Sequence, residues 1–279
     1  METRIYKKEN NLKILQLFKA SLKDIYNSRF LARQLAERDI KAQYRQSYLG
    51  IIWAFITPLT TAFVWIFLSS SGTVKLSDTG VPYPVYAFSG TLIWSIFKEA
   101  LSTPTASTNN ARSILSKINF PKEALIISGI YKMLFNSAFK VGLLIVLMVI
   151  YKIGYNWCLI LFPLALLAVI FLGITIGLIL TPFSMLYKDV GRIINLGLSL
   201  LMYITPVVYV VPKTGLMNTL MTYNPLTPIM EVTRTMLFGG EFNYIPQYIL
   251  VLCLSVPILC VGLIWYRISI PVIVERSSS

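Results

Sequence analysis

The stretch Arg38–Leu59, RDIKAQYRQSYLGIIWAFITPL, passes from a basic, solvent-compatible segment to an apolar one within a few helical turns. Arg38, Lys41 and Arg45 recur at helical spacing, and the run Ile51–Leu68, just after Gly50, contains no charged residue. A helix needs roughly 20 mostly apolar residues to cross a hydrocarbon core, and this run approaches that length. Such a segment belongs either in a membrane or in the core of a soluble protein. The rest of the chain favours the membrane: 56% of its 279 residues are hydrophobic, only 13% are charged, and mean hydropathy is +0.67.

The apolar runs predict an all-α membrane protein with six transmembrane helices, at about Gly50–Ser70, Tyr83–Leu101, Leu125–Ile150, Trp157–Leu180, Ile193–Val211 and Pro246–Tyr266. They divide the chain into a cytoplasmic arm (1–49), a six-span transmembrane domain (50–266) and a cytoplasmic tail (267–279). Six spans put both termini on one side. The arm, the loops Ser102–Glu123 and Thr181–Arg192 and the tail hold 18 Lys and Arg residues, whereas the opposite loops hold Lys75, Lys152, Lys213 and Arg234. By the positive-inside rule both termini are cytoplasmic. The polar N-terminus METRIYKKENN carries no secretory signal pattern, so the first span is expected to direct insertion.

Within the arm, Leu12, Leu15, Phe18, Leu22, Ile25 and Tyr26 share one side of a helix, which predicts an amphipathic helix at the membrane interface. The Ser/Thr/Asn-rich flank after the second span predicts a short cytoplasmic helix over Asn109–Ile118. Between spans 5 and 6, Leu216–Tyr223 and Ile229–Phe238 are apolar but too short to cross, and NPLTP separates them. They predict two short re-entrant helices, which a membrane tolerates where the backbone is buried in protein or lines a cavity. A plain external loop is the alternative.

Several chemistries are excluded. The chain has no histidine, and its three cysteines (Cys158, Cys253, Cys260) sit in apolar runs, so no metal or disulfide framework is expected. No GxxxxGK[ST] loop exists to bind nucleotide, and the twelve carboxylates are scattered. The chain therefore reads as a non-enzyme with no cofactor of its own. Its net charge of +13 arises beside membrane segments and not in a nucleic-acid-binding module.

Polar residues inside the spans remain to be explained. Lys132, Asn136 and Lys140 fall on one stripe of the third helix, and such residues either line a polar path or snorkel to the interface. Trp53, Phe63, Trp94, Tyr203 and Tyr209 offer flat faces for sugar rings, or serve as interfacial anchors. Arg33, Arg38, Lys41 and Arg45 converge where the arm meets the first span. They suit a lipid diphosphate, although ordinary positive-inside charge accounts for the same residues.

Four stretches carry a family resemblance: residues 38–59, the loop 108–123 with its Phe120-Pro121 break, YKDVGRIINLGLSLLMYITPVVY at 187–209, and NPLTPIMEVTRTMLFGG at 224–240. Together they resemble the permease subunits of type-2 ABC transporters that export lipid-linked polysaccharides. Lys188 stands where family members often have Arg. The resemblance implies a bacterial inner-membrane homodimer of permeases working with two copies of a separate ABC ATPase, which would hold the ATP and Mg. It implies export of a polymer on undecaprenyl diphosphate, with O-antigen foremost and teichoic acid or capsule polymer as alternatives. A small-molecule exporter of the same fold is a further alternative. By the same resemblance, Asn109, Asn110, Arg112, Ser113 and Lys117 would couple to the ATPase. The first and fifth spans would form the conduit; Trp53, Phe63, Tyr203 and Tyr209 on those spans, Trp94 on the second and Lys140 on the third are the lining candidates. A re-entrant segment including Asn224, Pro225 and Arg234 would shape its outer end.

Overall fold

The computed structural model describes residues 14–45, 52–72, 79–115, 118 and 120–278. Among these the fold is entirely helical. In chain order the helices are α1 (Ile14–Asn27), α2 (Arg29–Arg45), α3 (Trp53–Ser70), α4 (Tyr83–Asn110), α5 (Arg112–Leu115) and α6 (Glu123–Ile150). After a 3-10 turn at Trp157–Leu161 come α7 (Phe162–Leu186), α8 (Lys188–Tyr203), α9 (Leu216–Tyr223), α10 (Leu226–Phe238) and α11 (Ile245–Ser278).

Glu123–Ile150, Trp157–Leu186 and Ile245–Glu275 are each long and apolar enough to cross a membrane. Helix α4 has 28 residues, about 42 Å at 1.5 Å per residue, which matches a bilayer with its headgroup layers. It packs along α7 and α6, while α11 covers the other side of α7. The α4–α7 contact is close because α7 presents Gly173 and Gly177. A Cβ at Gly177 would lie 2.2 Å from the Leu101 carbonyl oxygen, so only glycine lets the two backbones meet there. Small residues four apart play this part widely in membrane bundles, where close approach replaces a hydrophobic driving force.

Polar contacts fix which helix ends lie together. Thr105 and Thr181 hydroxyls are 2.9 Å apart, Thr108 and Tyr266 hydroxyls 2.7 Å apart, and Arg267 of α11 pairs with Glu123 of α6. The end of α4, the start of α6, the end of α7 and the far part of α11 therefore gather at one end of the bundle. Helix α1 is there too, because Arg267 reaches Asp24 at 2.7 Å and Ser21 donates to Glu123 at 2.9 Å. Both ends of the described chain thus share one end of the molecule, called here the terminal end.

The expected element boundaries shift most at α4, α8 and α11. Helix α4 runs nine residues past Leu101, through the Ser/Thr/Asn-rich stretch, because those side chains bond back within the helix: Ser102 to the Lys98 carbonyl, Thr103 to Glu99 and Thr108 to Pro104. The helix expected over 109–118 is divided accordingly into the last two residues of α4 and the four-residue α5. Helix α8 starts earlier and stops at Tyr203, where Pro206 forbids a regular helical hydrogen bond beyond. Helix α11 does not end at Tyr266 but continues to Ser278, with Ile270, Ile273 and Val274 buried.

On α1 the apolar stripe is divided. Phe18 and Ile25 pack on the core, whereas Leu22 and Tyr26 stay exposed, as does Phe30 on α2. Leu12 lies outside the described residues.

Candidate functional site

At the end opposite the termini, the first turns of α4, the segment after α8 and helix α10 are tied into one unit. Arg234 of α10 is 5% exposed. Its Nη1 donates to Tyr86 Oη and to Glu231 Oε1, both at 2.8 Å; Nη2 donates to the carbonyls of Pro206 at 3.0 Å and Val207 at 2.8 Å. The guanidinium also lies 4.0 Å from the centroid of the Tyr86 ring. One turn along α4, a Cβ at Gly90 would fall 1.7 Å from the Val207 oxygen, so the missing side chain is what admits this segment. Asn224 completes the tie from the start of α10. Its Nδ2 donates to the Ile204 carbonyl at 2.9 Å and to Thr205 Oγ1 at 2.8 Å, and its Oδ1 caps the Leu226 amide at 3.0 Å. Pro225, exposed, opens α10. The structure thus joins Asn224 and Arg234 through the 204–207 backbone. Gly90, on the far side of that contact, gave no local signal in the sequence, and Tyr86 stood out only as an aromatic of the second span, with nothing to name its partner.

At the terminal end, Arg33, Arg38, Lys41 and Arg45 are all exposed on α2. Arg33 pairs with Glu37 one turn on, at 3.2 Å, and Arg38 with its neighbour Asp39 at 2.7 Å. Exposed pairs of this kind contribute little, so the surface remains cationic and available to an anion. Asn109 and Asn110 are exposed at the end of α4. Arg112 is half-buried and donates to the Met185 carbonyl at 3.4 Å, which ties the α4–α5 corner to the end of α7. Of Ser113 only the backbone, in α5, is described; Lys117 lies outside the described residues. Beside this corner, Asp24, Lys122, Glu123 and Arg267 line a cleft of about 400 Å³. Burial lowers the Lys122 pKa, with Glu123 opposing the shift and Arg267 adding to it.

Between the two ends, α3 and α8 expose broad faces. Trp53, Phe63 and Tyr203 are more than half exposed. On α8 the polar Arg192, Asn195 and Ser199 share this exposure with Ile193, Leu196 and Leu200. Asn195 and Ser199, four apart on an otherwise apolar helix, carried a readable signal that sequence reasoning passed over. Tyr209 is half-buried, edge-on to Trp65 with centroids 6.5 Å apart, and its hydroxyl donates to the Tyr203 carbonyl. Trp94 and Lys140, named above as lining candidates, lie in the core of the protomer. Trp94 is 6% exposed and packs on Phe97. Lys140 is 8% exposed, and its Nζ lies 2.7 Å from Glu99 Oε2, while Asn136 donates to Glu99 Oε1 at 3.0 Å. The polar stripe on α6 faces a carboxylate of α4 inside the same chain.

An ABC-2 type transporter family model matches residues 31–238, from α2 through α10. The chain belongs to the ABC-2 type transporter family. This ABC-2 chain is also similar to the O-antigen export system permease protein RfbA of Myxococcus xanthus, 26% identical over 212 residues, which cover 75% of this chain and 80% of that protein. Two RfbA permeases of Klebsiella pneumoniae are 24% and 23% identical, covering 83% and 84% of this chain and 90% and 91% of their own lengths. Family membership makes the chain a multi-pass membrane transport subunit. The matched region contains both the basic face of α2 and the Asn224–Arg234 tie.

Proposed function

We propose that this chain is the transmembrane subunit of an ATP-driven exporter that carries a lipid-linked polysaccharide, O-antigen foremost, across the bacterial inner membrane. The observation that carries this reading is the similarity, over 75% to 84% of the chain, to three permeases named for O-antigen export. In this reading two copies of the permease work with two copies of a separate ABC ATPase, which binds the ATP and Mg. The chain crosses six times, by α3, α4, α6, α7, α8 and α11, with both termini cytoplasmic. Helices α9 and α10 dip into the outer side without crossing. The α4–α5 corner, with Asn109, Asn110 and Arg112, receives the ATPase, and the exposed faces of α3 and α8 line the conduit with Trp53, Phe63 and Tyr203. Arg33, Arg38, Lys41 and Arg45 hold the diphosphate of an undecaprenyl carrier, since convergent guanidinium and ammonium groups suit that anion. A chain of hydroxyls cannot cross hydrocarbon without such a polar path and an external source of energy.

The test is ATP hydrolysis by the co-purified permease and ATPase in lipid nanodiscs, with and without undecaprenyl-diphosphate-linked O-polysaccharide. Stimulation by the polymer is expected. The double variant Lys41→Ala, Arg45→Ala should assemble normally but need roughly tenfold more polymer for half-maximal stimulation, the effect of losing a charge-assisted contact. If no ATPase co-purifies, or turnover ignores every lipid-linked glycan, a small-molecule exporter of the same fold is the better reading.

A further inference from the structure

A cavity of about 330 Å³ lies between the last third of α4, the end of α7 and the first half of α8. That volume sits at the lower end of the range of small-ligand sites, which runs from roughly 300 to 1,000 Å³. The lining has an unusual chemistry for a position between membrane helices. Ser102, Thr105, Asn109, Ser184 and Asn195 supply hydroxyl and amide groups, and none of the described lining side chains is ionisable. The remainder is aliphatic, including Leu180 and Leu198. Ser184 Oγ is enclosed yet has no hydrogen-bond partner among the described residues. Its neighbour in the wall, Thr105, is by contrast already paired with Thr181. A hydroxyl without a partner in such a wall can pair with an occupant once its rotamer turns it inward.

We propose that this cavity is a binding site for an uncharged, hydroxyl-rich ligand: one or two neutral sugar units of the exported polymer. Alcohols and amides exchange hydrogen bonds with sugar hydroxyls, and the aliphatic wall accepts the C–H face of a ring. The lack of charge disfavours a phosphate or an ammonium group, which would lose hydration without gaining a counter-charge. The location gives the site a use. It borders Asn109 at the α4–α5 corner and Asn195 on the exposed side of α8, so an occupant lies between the element that would receive the ATPase and the face that would line the conduit. The inference rests on the polysaccharide-export reading and assigns it an intake subsite within each protomer.

The test has two arms. Binding of radiolabelled methyl α-mannoside and methyl β-glucoside to the full-length permease in nanodiscs is measured against glucuronate and glucosamine. The neutral glycosides should bind, the charged sugars should not, and Ser184→Leu, which fills the cavity, should abolish binding while Ser184→Thr retains it. In the assembled transporter, Ser184→Leu should raise the polymer concentration for half-maximal stimulation about tenfold or more, the equivalent of one lost hydrogen bond plus exclusion of the ring. Half-saturation unchanged in Ser184→Leu, with wild type responding to polymer, overturns the site and leaves the export reading standing. Equal binding of charged and neutral sugars, or equal loss in Ser184→Thr, also overturns it. No response to polymer from the wild type overturns the export reading, and this inference with it.

Discussion

Arg234 engages both terminal nitrogens in the backbone and side chains of two other segments, and its role follows from that geometry. A guanidinium can serve Tyr86, Glu231, Pro206 and Val207 at once because its donors form a rigid planar fork; a lysine ammonium at the same place cannot reach all four. Removing it leaves two carbonyls and a carboxylate buried without a donor. Arg234→Ala is therefore expected to destabilise the folded permease by about 3–5 kcal/mol. Tyr86→Phe removes one hydroxyl and keeps the ring under the cation, so it should cost only about 1 kcal/mol. Arg234→Lys should fall between the two. Denaturant unfolding in detergent micelles orders the three variants, and an Arg234→Ala no less stable than Tyr86→Phe would show that the fork does not hold the two segments together.

At the scale of elements, α4 is joined to α6 by a polar contact in an apolar setting. Glu99 accepts from Lys140 and from Asn136 one turn earlier on α6. A buried pair often contributes little net stability, but breaking it leaves a charge uncompensated. Lys140→Met and Glu99→Gln singly should each destabilise by roughly 2–4 kcal/mol, less than a fully buried pair because Glu99 retains some exposure, and the double variant should recover most of that loss. A double-mutant cycle on unfolding midpoints measures it; additive losses would mean that the two residues act independently. This pair also shows where sequence reading stopped. The spacing of Lys132, Asn136 and Lys140 revealed a stripe on one helix, but periodicity cannot name a partner 41 residues earlier on another helix. The apolar runs of α6, α7 and α11 were legible because each exceeds what a soluble helix usually carries. The extension of α4 through Ser102–Asn110 was not, because serine, threonine and asparagine favour caps and turns until neighbouring helices enclose their backbone. The same limit hid the neutral cavity, whose wall is drawn from three helices.

For the whole molecule, the contacts of Arg267 decide more than a local clamp. One guanidinium meets Asp24 of α1 and Glu123 of α6 from its place on α11, so the amphipathic arm, the start of one apolar helix and the end of another are held at a common level. The exposed Leu22, Tyr26 and Phe30 lie on the arm fixed by this clamp, and an apolar face next to a cationic one is what an interfacial helix offers to anionic lipid. In the proposed topology the arm would be set against the membrane by its own protein as well as by lipid. This arrangement makes the sidedness of the chain a test of the whole fold. With Cys158, Cys253 and Cys260 first replaced by serine or alanine, single cysteines are placed at exposed positions: Asn27 and Glu275 at the terminal end, Tyr155 and Thr214 at the other. In intact spheroplasts a membrane-impermeant maleimide should modify Tyr155→Cys and Thr214→Cys but leave Asn27→Cys and Glu275→Cys unreacted until the membrane is opened. Reaction of Glu275→Cys but not Asn27→Cys in intact cells would mean an odd number of crossings and would break the link between α1 and α11. Reaction of both, with Tyr155→Cys protected, would keep the helix arrangement and reverse its orientation, placing the basic face of α2 away from the compartment that supplies ATP.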